Sequence, residues 1–107
     1  MKDQFLEHLL SIIKSKKDEN PKVSYTAMLQ QEDIIETLKK IEEEAFEVIE
    51  AAKLKNKNDT IHEIADLWFH CLVLLAKKDI TVAEITAELQ KRQGVSGIKE
   101  KLNRVKK

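Results

Sequence analysis

From Ile64 to Ala76 every residue except Asp66 and His70 is apolar. No glycine or proline interrupts the run, so it predicts a helix that is buried on most of its sides. A chain of 107 residues is one domain with a modest core. Three companion helices hardly suffice to surround so apolar a helix. The expectation is therefore an all-α helical bundle of about four helices, completed by dimerisation.

The rest of the chain agrees with helices throughout. With two glycines and one proline, there is little turn chemistry for hairpins or glycine-rich phosphate loops. Phe5, Leu6, Leu9, Leu10, Ile12 and Ile13 give a first segment one apolar face. A charged run from Lys14 to Lys22, holding Pro21, ends it. Ser24-Tyr25-Thr26 reads as an entry into helix, because Ser and Thr cap helix N-termini well. A long second segment runs from about Asp33 to about Lys55. Its Ile34, Leu38, Ile41, Ala45, Val48 and Ala52 form a narrow seam for another helix. Asn56 to Asp59 reads as a loop, with Asp59 or Thr60 capping the third helix, which runs to about Lys78. Thr81-x-x-Glu84 reads as a capping box for the fourth, with Val82, Ile85 and Leu89 inward and Gly94 at its end. Residues 1–94 are read as the domain, and 95–107 as a basic tail that orders on substrate.

Composition removes several classes of function. Lysine plus arginine number 19, as do aspartate plus glutamate, and this balance argues against a non-specific nucleic-acid binder. Cys71 is the only cysteine, so neither an intrachain disulfide nor a cysteine-based zinc site is available. It fits a cytoplasmic protein. The N-terminus lacks the apolar run of a signal peptide. The stretch from Leu67 to Ala76 is short of the roughly 20 residues needed to span a bilayer.

Inside the apolar third helix, Glu63, Asp66 and His70 share a stripe about 60° wide, at roughly 100° per residue. Carboxylates on a buried helix are costly unless a cation balances them. The second segment offers partners in Glu43, Glu44 and Glu47, the last two stacked on one face. Antiparallel packing would set Glu44-x-x-Glu47 against Glu63-x-x-Asp66. Carboxylates converging without a thiolate suit a hard ion such as Mg²⁺. Plainer readings stand beside these. Glu42, Glu43, Glu44, Glu47 and Glu50 also read as a solvated face paired with Lys39 and Lys40. Glu63 also reads as the end of a capping box begun by Thr60. His70 also reads as a core histidine donating to a backbone carbonyl. Cys71, Trp68 and Phe69 read as core, and His8 and His62 carry no signal. A di-iron bundle would want Glu-x-x-His on two helices, and the sequence contains none.

The pattern Glu44-x-x-Glu47, fifteen residues, then Glu63-x-x-Asp66 resembles the all-α nucleoside triphosphate pyrophosphohydrolases, the MazG-like superfamily. Longer segments narrow the likeness: Ser24-Tyr25-Thr26, Leu38-Lys39-Lys40-Ile41, Glu43-Glu44-Ala45-x-Glu47, Glu63 through His70, and the tail Gly94-Val95-Ser96-Gly97-Ile98 with Lys101 and Arg104. Together they resemble the phosphoribosyl-ATP pyrophosphatase family over nearly the whole chain. Departures fall at Glu42, usually small, at Asp33, usually glycine, and at Met28, often polar or basic.

The resemblance implies Mg²⁺-dependent hydrolysis of phosphoribosyl-ATP to phosphoribosyl-AMP and pyrophosphate, the second step of histidine biosynthesis. It implies Glu44, Glu47, Glu63 and Asp66 as metal ligands, with Glu43 supporting them or accepting a proton from water. Ser24, Tyr25, Thr26, Lys39, Lys40, Lys53, His70, Arg92, Ser96 and Gly97 become candidate substrate contacts. The cyclohydrolase of the next step is expected on a separate protein. Two other readings remain at this point: a house-cleaning pyrophosphatase acting on nucleotides such as dCTP, and a helical interaction module without catalysis.

Overall fold

The computed structural model describes residues 4–93, which form five helices and no strand. They are α1 (Gln4–Ser15), α2 (Tyr25–Gln31), α3 (Ile34–Lys53), α4 (Lys57–Lys78) and α5 (Val82–Arg92). The all-α expectation holds, with one helix more than the four anticipated. The extra one is α2, which Ser24 caps by accepting from the Ala27 amide at 3.1 Å. Extended backbone at Glu32 and Asp33 separates α2 from α3, and Asp33 caps α3 by accepting from the Ile35 amide. The Asp33 departure therefore places a good capping side chain at a helix start.

Tertiary hydrogen bonds hold α2 in place. The Gln30 amide donates to the Ile13 carbonyl at the end of α1, and Gln31 donates to the carbonyls of Lys17 and Glu19. The Ile13 carbonyl also accepts from the Lys16 amide, and Lys17 and Glu19 lie past the end of α1, so the two glutamines bind α2 to the end of α1 and to the loop that follows it.

Helices α3 and α4 form an antiparallel hairpin, the most extensive packing in the chain. The turn needs only Leu54, Lys55 and Asn56, with Lys55 in the left-handed region at φ 59°. At the far end Lys77 of α4 donates to the Glu32 carbonyl at 2.7 Å, tying the close of one helix to the start of the other. Asn56 caps α4 by accepting from the Asp59 amide, so the helix starts earlier than the expected Asp59 or Thr60. The Thr60 hydroxyl instead donates to the Asn56 carbonyl, which removes the capping-box reading of Glu63. The expected box at Thr81 and Glu84 is present in both directions, and Thr81 holds the Glu84 carboxyl below its ordinary pKa.

The core joins Leu10 and Ile13 of α1, Leu29 of α2, Leu72 and Val73 of α4 and Val82 of α5. Met28, another departure, packs against this core. Three expected faces hold only in part: Leu6, Leu9, Leu10 and Ile13 of α1 and Ile34, Ile41, Ala45 and Val48 of α3 are buried or half-buried as expected, and the exceptions follow. In α3 the buried residues are Thr37 and Ala51, whereas Leu38 is 45% exposed and Ala52 is exposed. In α5 only Val82 is buried, and Ile85 and Leu89 face outward. In α1, Phe5 and Ile12 are exposed. Among the described residues, no helix is long and apolar enough to cross a membrane.

Thr37 is only 3% exposed, and its hydroxyl has no hydrogen-bond partner among the described residues. A buried hydroxyl without a partner costs about 1–3 kcal/mol in desolvation. Thr37→Val should therefore raise stability by about 1 kcal/mol in urea unfolding. A loss of stability would show that the hydroxyl is satisfied.

Candidate metal centre

The hairpin brings Glu44 of α3 against Glu63 and Asp66 of α4. One carboxylate oxygen from each lies within 4.8 Å of the others, and all three side chains are half-buried. The sequence accounts for this placement. Thr37, Ile41, Glu44, Val48 and Ala51 follow steps of four and three, so Glu44 lies on the face that α3 turns to α4. Glu63 and Asp66, three apart, meet it from the opposite helix.

The electrostatics match that crowding. Burial pushes the Glu44 carboxyl above its ordinary pKa, and the negative charge of Asp66 pushes it further. His70 pulls it back down, while Glu63 and Glu47 add to the rise. Like charges at this separation favour either a shared proton or a cation. Three oxygen donors without sulfur fit a hard divalent ion such as Mg²⁺, which keeps several waters and uses few carboxylates.

Glu47 lies a turn beyond Glu44, exposed and outside the converging trio, although close enough for its charge to act on Glu44. Glu43 is exposed, as is Glu42. His70 is buried and donates through Nδ1 to the Asp66 carbonyl at 2.8 Å, as the core-histidine reading expects. The other ring nitrogen, Nε2, faces the Tyr25 hydroxyl at 3.5 Å, a long contact. His62 was given no role from sequence. Its Nε2 lies 3.3 Å from Oδ2 of Asp66 at the i,i+4 spacing, and that spacing was the signal that could have revealed it.

The candidate cations are less gathered. Lys39 pairs with Glu36 at 3.7 Å, Lys53 with Glu50 at 3.5 Å and Arg92 with Glu88 at 3.4 Å, each within its own helix and largely exposed. Lys40 is half-buried and makes no ion pair among the described residues. Thr26 is half-buried, and its carbonyl accepts from Gln30. Gly94, Ser96, Gly97, Lys101 and Arg104, with the whole expected tail, lie outside the described residues.

An antiparallel helical hairpin that gathers carboxylates from facing turns defines an all-α protein with an oxygen-donor site suited to a divalent cation. Residues 6–93 match the family described as phosphoribosyl-ATP pyrophosphohydrolase. The chain is similar to the phosphoribosyl-ATP pyrophosphatase of Nitrosomonas eutropha, 48% identical over 92% of this chain and 85% of that one. It is also similar to that of Vesicomyosocius okutanii, 48% identical over 95% of this chain and 97% of the relative. That of Hydrogenovibrio crunogenus is 43% identical over 99% of this chain and 97% of the relative. The chain belongs to the phosphoribosyl-ATP pyrophosphohydrolase family, and it is a hydrolase.

Proposed function

We propose that this chain hydrolyses phosphoribosyl-ATP at the α–β anhydride in a Mg²⁺-dependent reaction. The products are phosphoribosyl-AMP and pyrophosphate, as in the second step of histidine biosynthesis, carried out in the cytoplasm. The observation that carries this reading is the convergence of Glu44, Glu63 and Asp66 in a chain whose relatives bear that enzyme's name.

Mg²⁺ at this site supplies charge neutralisation for the triphosphate and lowers the pKa of bound water. Glu44, Glu63 and Asp66 hold the ion, and Glu47 completes the set from the next turn. Glu43 either supports a ligand or accepts the proton of the attacking water. Lys39, Lys40, Lys53 and Arg92 balance phosphate charge. The ion pairs of Lys39, Lys53 and Arg92 are exposed and weak, so little holds these side chains back from an anion. Ser24, Tyr25 and Thr26 offer neutral hydrogen bonds on the helix that packs against α4. The test is product analysis from phosphoribosyl-ATP with chelator, then with Mg²⁺ restored. One pyrophosphate per phosphoribosyl-AMP, only with Mg²⁺, supports the reading, and release of orthophosphate contradicts it.

The same reading includes a homodimer. Leu38, Phe46 and Ile49 line the outward side of α3, and Ile61, Ile64 and Trp68 line that of α4, with Trp68 56% exposed. Apolar surface on this scale marks an interface. Sedimentation at micromolar concentration should show a dimer, and a stable folded monomer would remove this part of the proposal.

A further inference from the structure

Of the three converging carboxylates, only that of Asp66 has an ion-pair partner among the described residues. His62 stands one turn earlier on α4 with Nε2 3.3 Å from Asp66 Oδ2. Four residues on the other side, His70 holds the backbone of the same residue through its carbonyl. Asp66 is thus bracketed on its own helix by two imidazoles, one beside its side chain and one bonded to its main chain. A free carboxylate rotates about its last bond, and a contact on one oxygen fixes where the other can point. Groups behind a metal ligand act in this way, and their loss weakens metal binding without removing any ligand.

We infer that His62 is a positioning residue that aligns Asp66 for the divalent cation, an inference that rests on reading Glu44, Glu63 and Asp66 as the cation site. The His62 ring sits 3.3 Å from Oδ2 of Asp66 and so biases how that carboxylate turns beside Glu44 and Glu63. The His62 side chain is 70% exposed. Its removal opens no cavity, so an effect on cation affinity is not a disguised folding defect. The exposed i,i+4 pair adds little to stability, which makes orientation the effect left to measure.

The experiment is a Mn²⁺ titration of the full chain without substrate, followed by the electron paramagnetic resonance signal of free Mn²⁺. It compares the parent protein with His62→Ala, His62→Gln and Glu44→Gln. Glu44→Gln and His62→Ala should each weaken Mn²⁺ binding by about tenfold or more. His62→Gln, whose amide can donate to the same oxygen, should recover most of the loss. The Mg²⁺ concentration for half-maximal activity should rise by a similar factor in His62→Ala, with kcat at saturating Mg²⁺ nearly kept. If Glu44→Gln loses affinity but His62→Ala binds as the parent does, or if His62→Gln is as weak as His62→Ala, the role of His62 is overturned and the cation site stands. If the parent protein binds no Mn²⁺, or Glu44→Gln binds it unchanged, the cation site itself is overturned.

Discussion

Glu44→Gln or Asp66→Asn lowers turnover at saturating Mg²⁺ by at least about 100-fold, because each removes a charged oxygen from the group that holds the cation against the reacting phosphates. The geometry makes both residues sensitive. Their oxygens lie within 4.8 Å of each other and of Glu63, so neither charge is replaced by a neighbour that is not already engaged. Stability should move the other way. Burial and neighbouring negative charge raise the Glu44 pKa above its unfolded value. Such a group opposes folding once it is ionised, and it ceases to do so when protonated. At a pH where Glu44 is ionised, Glu44→Gln in chelator should therefore melt at the parent temperature or above it. Turnover near that of the parent in either variant would refute the assignment, and a collapsed melting transition would point to a structural role instead.

The second large effect concerns substrate choice. A triphosphate on a cation is common to all nucleotides, so the carboxylate trio cannot tell phosphoribosyl-ATP from ATP. Discrimination has to come from groups that reach the additional ribosyl phosphate, where cations make charge-assisted bonds. Lys53 and Arg92 are exposed at the ends of α3 and α5, joined among the described residues only to Glu50 and Glu88. Lys101 and Arg104 are the candidates from the tail, and Ser24, Tyr25 and Thr26 those from the start of α2. A site whose polar groups go unpaired with the wrong substrate can reject it strongly. A preference in kcat/KM of at least about 10³-fold over ATP or dCTP is therefore expected. Arg92→Ala should erode that preference more than it harms residual ATP hydrolysis. Equal or better efficiency on dCTP would move the chain to the house-cleaning branch of the superfamily.

The meeting of Glu44 with Glu63 and Asp66 was legible from the spacing of three on α4 and a turn too short for anything but antiparallel packing, whereas Glu47, paired with Glu44 by the same spacing on α3, stays outside the trio. The capping box at Thr81 was legible because both of its partners are local. The inward face of α3 was legible only in part. Ile34, Ile41, Ala45 and Val48 lie inward as expected, but the stripe also carries the polar Thr37 and Glu44, while Leu38 and Ala52 sit outward, so counting apolar residues misplaces its edge. The start of α4 was displaced because Asn56, Asp59 and Thr60 all make competent caps, and only the backbone path chooses among them. The separate α2 depends on Gln30 and Gln31 reaching carbonyls of α1 and the loop after it, contacts with no local signature. His62 gained meaning only once Asp66 was placed in the trio.

Crystals grown with Mn²⁺ and measured at a wavelength where manganese scatters anomalously test the central claim most directly. The account predicts an anomalous peak within bonding distance of carboxylate oxygens from Glu44, Glu63 and Asp66 together. A peak bound elsewhere, or none at these three residues under saturating Mn²⁺, would contradict it.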